Sequence, residues 1–323
     1  HGVHDIQKSS DPNARTMRAN LVQTCARCHP GATKNFPDAW LSHYEPTPEK
    51  ATLVWTVQLF YKLIIPFMVG GLVLQIASTT VSTNPSPAYV VRFTGKQRVE
   101  HLVTMVVFTL LCLTGLPQKF YGAAWAHRMV GLFGGIDAAR WIHRACGWIL
   151  AASTVLHFAS AIAAIASRKM RLTMIPTKAD FDDAIATLKY YLGLRDHGPK
   201  YDRYDYKQKF EYWGLVVGNV IMVLTGIILI FPWVLTRFLP GQIIPAAKVA
   251  HSNEGLMALL VITIWHIYNA HLNPDVFPFD PCIFTGKISR ERMEHEHPLE
   301  LERMEEAGQP GKAAATHARE VVG

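Results

Sequence analysis

Five blocks of roughly 20 to 28 mostly apolar residues divide this 323-residue chain, and each is long enough to cross a bilayer as an α-helix. In hydrocarbon a backbone must satisfy its own N–H and C=O groups, which favours helices for such segments. The spans are expected at about 53–78, 99–117, 139–166, 211–236 and 247–272. The fold class that follows is an all-α membrane protein with five transmembrane helices. The first span contains Pro66 and Gly70-Gly71 but no histidine, so it reads as a tether. The other four read as one bundle.

Residues 1–50 are different in kind. They are polar and interrupted by Pro30, Pro37, Pro46 and Pro48, and they hold Cys25-Ala26-Arg27-Cys28-His29. C-x-x-C-H is the attachment pattern of a c-type haem: the two thiols add to the porphyrin vinyl groups and the following histidine supplies an axial nitrogen. So few residues cannot bury a core alone, so this segment is expected to be organised by at least one covalent haem c. Its sixth ligand is expected from His43 or His4, with Met17 a weaker candidate. The opening His1-Gly2-Val3-His4 reads either as a mature N-terminus or as the end of another C-x-x-C-H-G-x-H stretch. In the second case the chain is the C-terminal part of a longer multihaem protein, with His1 and His4 serving further haems.

The formal charge of +7 does not point to nucleic acid, because most of the excess flanks the apolar blocks. The 81–100 and 167–209 loops hold thirteen Lys and Arg, and the two opposite loops hold only a few. The positive-inside rule puts the basic loops in the cytoplasm and, with five spans, the N-terminus outside. Haem c attachment outside the bacterial cytoplasm gives the same orientation independently. The expected divisions are a periplasmic haem c segment (1–50), a tether (51–80), a four-helix domain (97–273) and a charged cytoplasmic tail (274–323) that frays toward its end. Cys112, Cys146 and Cys282 imply no disulfide framework.

Imidazoles at membrane depth are costly and usually functional. His143 and His157 are fourteen residues apart on the third span, and His251 and His266 fifteen apart on the fifth. At 1.5 Å per residue the separations are ~21 Å and ~22 Å, and the directions return to within ~40° and ~60°. Both spans run from outside to inside. His143 and His251 then share the outer level, and His157 and His266 the inner one, as for two stacked b haems with bis-histidine ligation. His101, at the inner end of the second span, competes with His157 for the inner site, and the deeper position of His157 favours it slightly. Arg140 and Arg144 flank His143 and suit haem propionates as charge-assisted partners, or act as positive anchors at a helix end.

Gln97-Arg98-Val99-Glu100-His101-Leu102 followed by Thr114-Gly115-Leu116-Pro117 resembles the first haem-bearing helix of the cytochrome b subunits of membrane formate dehydrogenases and hydrogenases. The run from Arg203 to Trp213, His266-Ile267-Tyr268, and Thr285-Gly286-Lys287-Ile288-Ser289 with His297-Pro298 match that family in order. The resemblance covers roughly 97–300. It implies an inner haem on His101 and His266, an outer haem on His143 and His251, and fourteen residues between the two histidines of the last helix, where this chain has fifteen. His157 has no counterpart there. Residues 140–158 are instead similar to the cytochrome b of quinol–cytochrome c reductases, where the matching histidine pairs ligate both haems. The inner ligand therefore stays open between His101 and His157. The resemblance also implies a quinone site beside the inner haem, at Asp205 and Lys209 near His266. Asp205 stands where the family has Asn, and an interfacial belt of Tyr and Lys explains these residues almost as well.

The expectation is an electron conduit in the bacterial inner membrane. It joins the quinone pool, through two b haems, to haem c and a periplasmic multihaem or other redox partner. This makes the chain a quinol/quinone oxidoreductase or an electron-transfer subunit, with no catalytic side chain of its own. The alternative is a haem-bearing anchor subunit of a larger periplasmic oxidoreductase of formate dehydrogenase type. Either role places the chain among lipids and within a larger or oligomeric assembly.

Overall fold

A computed structural model describes residues 11–15, 17–39, 46–49, 51–77, 89–167, 172–273, 276–277 and 279–306. In chain order the elements are α1 (Leu21–Ala26), α2 (Thr52–Ala77), β1 (Tyr89–Val91), α3 (Gly95–Lys119), α4 (Ala124–Leu132), α5 (Ile136–Ala166) and α6 (Lys178–Tyr191). There follow α7 (Tyr206–Ile230), α8 (Pro232–Leu235), α9 (Ile243–Val261), α10 (Cys282–Thr285), β2 (Lys287–Ser289), α11 (Arg290–Glu296) and α12 (Pro298–Glu306).

Among the described residues, α2, α3, α5, α7 and the helix from Ile243 to Leu272 are long and apolar enough to cross a membrane. Their apolar side chains point outward: Phe67 is 75 % exposed and Leu156 69 %. Surfaces of this kind are stable against lipid rather than water. The protein is an all-α membrane protein.

Several span limits differ from expectation. Helix α3 continues past Pro117 to Lys119. Pro117 stands in the last turn, where its missing N–H forfeits one bond to a carbonyl four residues earlier and little helix remains to be kinked. Helix α7 begins at Tyr206 and ends at Ile230, because Pro232 cannot extend it and instead opens the short α8. The last span starts at Ile243 and changes character beyond Val261. Residues Ile262–His266 and Tyr268–Leu272 form π-helical turns. A π turn closes i→i+5 bonds and takes one residue more than an α turn. Fifteen residues from His251 to His266 thus advance the helix about as far as fourteen would in an unbroken α-helix.

The chain divides into two compact units. One comprises the described residues up to Gly71, Cys112–Ala139 and Gly218–Leu260. In it Ala51 and Val54 of α2 pack on Ala246 of α9, with Val57 and Val249 around them. The C-x-x-C-H segment docks on the end of α8: Thr33 donates a hydrogen bond of 2.9 Å to the Thr236 carbonyl. A Cβ on Gly31 would stand 3.1 Å from Arg237 Nη2. Arg237 itself lies over the Trp233 ring at 5.0 Å.

The other unit comprises Leu72–Leu111, Arg140–Val217 and the residues from Val261 onward. The charged tail is folded as far as Glu306, and its end, where fraying is expected, lies outside the described residues. β1 and β2 pair antiparallel, Val90 opposite Ile288, and Val90, Cys282, Ile288, Met293 and Leu301 form a small core. Gly286 makes the pairing possible: its φ is +81°, and a Cβ would lie 2.6 Å from the Phe93 carbonyl. Beside this core, buried Arg92 is paired with buried Glu300, which also takes a 2.6 Å bond from Arg203. His297 Nδ1 donates to the Asp202 carbonyl at 2.7 Å, and Arg92 donates to its Nε2 at 3.1 Å. The Thr-Gly-Lys-Ile-Ser and His-Pro motifs therefore build a clasp.

Candidate functional site

Helix α3 carries His101 in its second turn, and the π turn Ile262–His266 carries His266. Their rings face one another with centres 6.1 Å apart and planes inclined by 34°. His266 Nδ1 lies 2.6 Å from Oε1 of Glu211 on α7, an ion-pair distance that orients the Nδ1 edge of the ring toward α7. A cavity of about 320 Å³ opens beside His101, between Arg98, Val99 and Leu102 on α3 and Ile283 and Phe284 on α10.

His157, slightly favoured for the inner position from sequence, is engaged elsewhere. Its Nε2 lies 3.0 Å from the Tyr212 hydroxyl and its Nδ1 3.4 Å from Glu100. The geometry opposes His101 to His266 and gives both nitrogens of His157 polar partners.

His251 stands on α9, half-buried. Its Nδ1 is 2.9 Å from Oγ1 of Thr225, and that hydroxyl donates to the Ile221 carbonyl at 2.6 Å. With its own hydrogen committed, the hydroxyl accepts from Nδ1–H, so Nε2 carries the lone pair. Gly226 gives the ring room: a Cβ there would stand 3.5 Å from His251 Cε1. His143 lies half-buried on α5 with exposed Arg140 and Arg144 one turn to one side and one residue to the other.

In the C-x-x-C-H segment, Cys25 stands in the last turn of α1, which ends at Ala26, and the chain turns back at once, with the backbone N–H groups of Cys28 and His29 both donating to the Cys25 carbonyl. Burial pushes the Cys25 thiol above its usual range. Cys28 and His29 are exposed, and the His29 ring lies 5.0 Å from that of Phe36. His4 and His43, expected as sixth ligands, lie outside the described residues.

Asp205 and Lys209 take separate roles. The Asp205 carboxylate accepts from the Gln208 backbone N–H at 2.7 Å, capping α7. Burial pushes that carboxyl up, against the pull of Lys207. Lys209 Nζ donates to Asp180 Oδ1 at 2.6 Å. Burial raises the Asp180 carboxyl, but Lys209 and Thr177 outweigh that and hold it below its usual range.

Five polar residues within the spans, Tyr61, Lys119, Ser252, Asn253 and Glu254, went unnoticed in the sequence. Glu254 on α9 is buried, and its Oε2 accepts a 2.8 Å bond from the Tyr61 hydroxyl of α2. Lys119 donates to Ser252 at 3.1 Å and to Asn253 at 2.7 Å. A lone acidic residue inside an apolar run was the available signal.

The sequence pattern of the prokaryotic cytochrome b561 family matches residues 92–276, more than half of the chain and inclusive of His101, His143, His157, His251 and His266. The cytochrome b556(fdo) subunit of formate dehydrogenase from Escherichia coli K12 is 27 % identical over 186 residues, 56 % of this chain and 78 % of that subunit. The nitrate-inducible formate dehydrogenase cytochrome b556(Fdn) subunit of the same strain is 22 % identical over 218 residues, 68 % and 93 % of the two chains.

The family implies haem b, which supplies a one-electron couple when bound. The residues fit it. Ring centres 6.1 Å apart leave space for one iron atom between the His101 and His266 imidazoles, which would hold the haem. Among the described residues no three His, Cys, Asp or Glu side chains gather around a point. Paired imidazoles alone suit an iron whose other four donors come from a porphyrin. Five apolar spans, the His101–His266 pair and the sequence match together show that the chain belongs to the prokaryotic cytochrome b561 family and is a membrane electron-transfer protein.

Proposed function

We propose that this protein transfers electrons across the bacterial inner membrane, between the quinone pool and c-type haem on the periplasmic side, and holds two b haems within its spans. The observation that carries the reading is the opposed His101–His266 pair, 6.1 Å between ring centres. The inner haem is then held by His101 and His266, and the outer by His143 and His251. In the inner pair Glu211 keeps the His266 ring oriented and makes it a more basic ligand; at the outer level Thr225 does the same orienting work for His251. The lipid-facing apolar surfaces keep water from the ligands, so little reorganisation accompanies a change of charge between them. Arg140 and Arg144, one turn or less from His143, neutralise propionates at the outer surface.

Cys25, Cys28 and His29 attach haem c. The docking of this segment on Thr236 and Arg237 supports a short path from it to the level of His251. Basic loops between spans support an N-terminus in the periplasm and a C-terminus in the cytoplasm. Both relatives are subunits of formate dehydrogenase, which favours a second reading in which this chain serves a larger redox complex.

The test is stopped-flow mixing of the purified protein in nanodiscs with duroquinol. Reduction of b-type and c-type absorption bands within a turnover time supports the conduit. Bands that respond to dithionite and stay oxidised with quinol overturn the quinone link and leave the second reading.

A further inference from the structure

The first compact unit contains a cavity of about 530 Å³ that no haem ligand lines. Its polar walls are Gln58, Tyr61 and Lys62 of α2, Lys119 at the end of α3, and Ser252 and Asn253 of α9. Ile65 and Val249 supply an apolar side. Lys119 is held toward α9 by its bonds to Ser252 and Asn253. Behind the Tyr61 ring lies Glu254: the Tyr61 hydroxyl donates to its Oε2 at 2.8 Å, and each residue is only 4 % exposed. Gly218 leaves the space for the other oxygen, because a Cβ there would stand 2.5 Å from Oε1.

A buried carboxyl group in a membrane span is expensive to maintain and is by default a functional group with a proton to handle. Here it is reached from the cavity through a phenol. The volume lies within the ~300–1,000 Å³ of small-molecule sites. A ligand suited to it is amphiphilic, has a polar atom for Lys119 at one end and one for Tyr61 at the other, and leaves an apolar tail in the lipid. Glu254 is one helical turn from His251. Tyr61 stands on α2, outside the residues that match the family.

We propose that this cavity is a quinone head-group site, on the level of the bilayer that carries His251, and that Tyr61 and Glu254 form its proton relay. The inference rests on the quinone reading above and moves the site away from Asp205 and Lys209, whose side chains cap α7 and pair with Asp180. A bound quinol donates its hydroxyl to the Tyr61 oxygen while Tyr61 donates to Glu254. One proton then shifts along both bonds: the quinol O–H breaks as a new Tyr61 O–H forms, and the old Tyr61 O–H breaks as Glu254 becomes protonated. Lys119 faces the opposite ring oxygen.

Photolabelling of the full chain in nanodiscs with an azidoquinone, followed by peptide mapping, tests this. Adducts are expected within 58–66 and 249–253, and an excess of unlabelled quinone should remove them. Glu254→Gln and Tyr61→Phe should weaken labelling by about tenfold, the value of one strong hydrogen bond, while the haem b spectrum reports that the variant is folded. Adducts only near Asp205 and Lys209 would overturn the site and leave the quinone reading standing. No competable adduct anywhere would overturn both, and a cavity holding only phospholipid by mass spectrometry would overturn the site.

Discussion

His101 and His266 face each other across 6.1 Å between ring centres, whereas His157, one of two candidates for the same position, gives its nitrogens to Tyr212 and Glu100. Replacing His101 by Ala should remove one of two b haems, halving the b-type absorbance per protein. His157→Ala should retain both. Equal loss from the two variants would return His157 to the inner site.

The contacts behind the ligands should tune them. A carboxylate on the far nitrogen makes an imidazole more basic and favours the oxidised iron. Glu211→Gln should therefore raise one of the two b-haem midpoint potentials in a redox titration and leave the other in place. Thr225→Val should weaken haem retention about 10–100-fold, the usual effect of losing such a partner, measured by transfer to apomyoglobin.

Arg92 and Glu300 are both buried and share their pairing with Arg203. Removing one member leaves a buried charge without its partner, at about 3–5 kcal/mol. Glu300→Ala should detach α11 and α12, seen as rapid proteolysis between 287 and 306, while the haem b spectrum persists.

His297 responds to acid. Burial first, then the neighbouring Arg92, push its imidazole down to about 3 from an ordinary 6.5. The unfolded segment binds a proton below 6.5 that the folded one refuses. The stability from the neutral ring is complete above pH 6.5 and is lost as pH falls from 6.5 toward 3, by at most ~1.4 kcal/mol per pH unit. Amide exchange in 290–306, corrected for intrinsic rates, should quicken relative to α7 between pH 7 and pH 5. His297→Gln should flatten that difference.

The spans were legible because length and apolarity alone decide what crosses a bilayer. The pairing of two histidines on each of α5 and the last span was legible in the spacing. Direction around a helix was not: the choice between His101 and His157 depends on which neighbours stand opposite, and the π turns before and after Ile267 re-aim His266 in a way that a fixed 100° per residue misses. The clasp of Arg92, Glu300 and His297 was hidden because its parts lie about 200 residues apart in sequence. Its motifs were visible in 285–298, but their role depends on Gly286 and on β1. Asp205 and Lys209 were adjacent on paper, yet an N-cap and a salt bridge to Asp180 assign them to separate tasks. Glu254 was legible as a charge inside an apolar block, and its partner Tyr61 was not.

The measurement that bears most directly on the central claim is a pyridine haemochrome assay of the purified chain, which counts haem b against haem c. The account predicts two b haems per protein and at least one c, with the c haem lost in Cys25→Ser/Cys28→Ser and both b haems kept. A protein with haem c and no haem b would contradict the assignment of His101, His143, His251 and His266, and with it the membrane conduit.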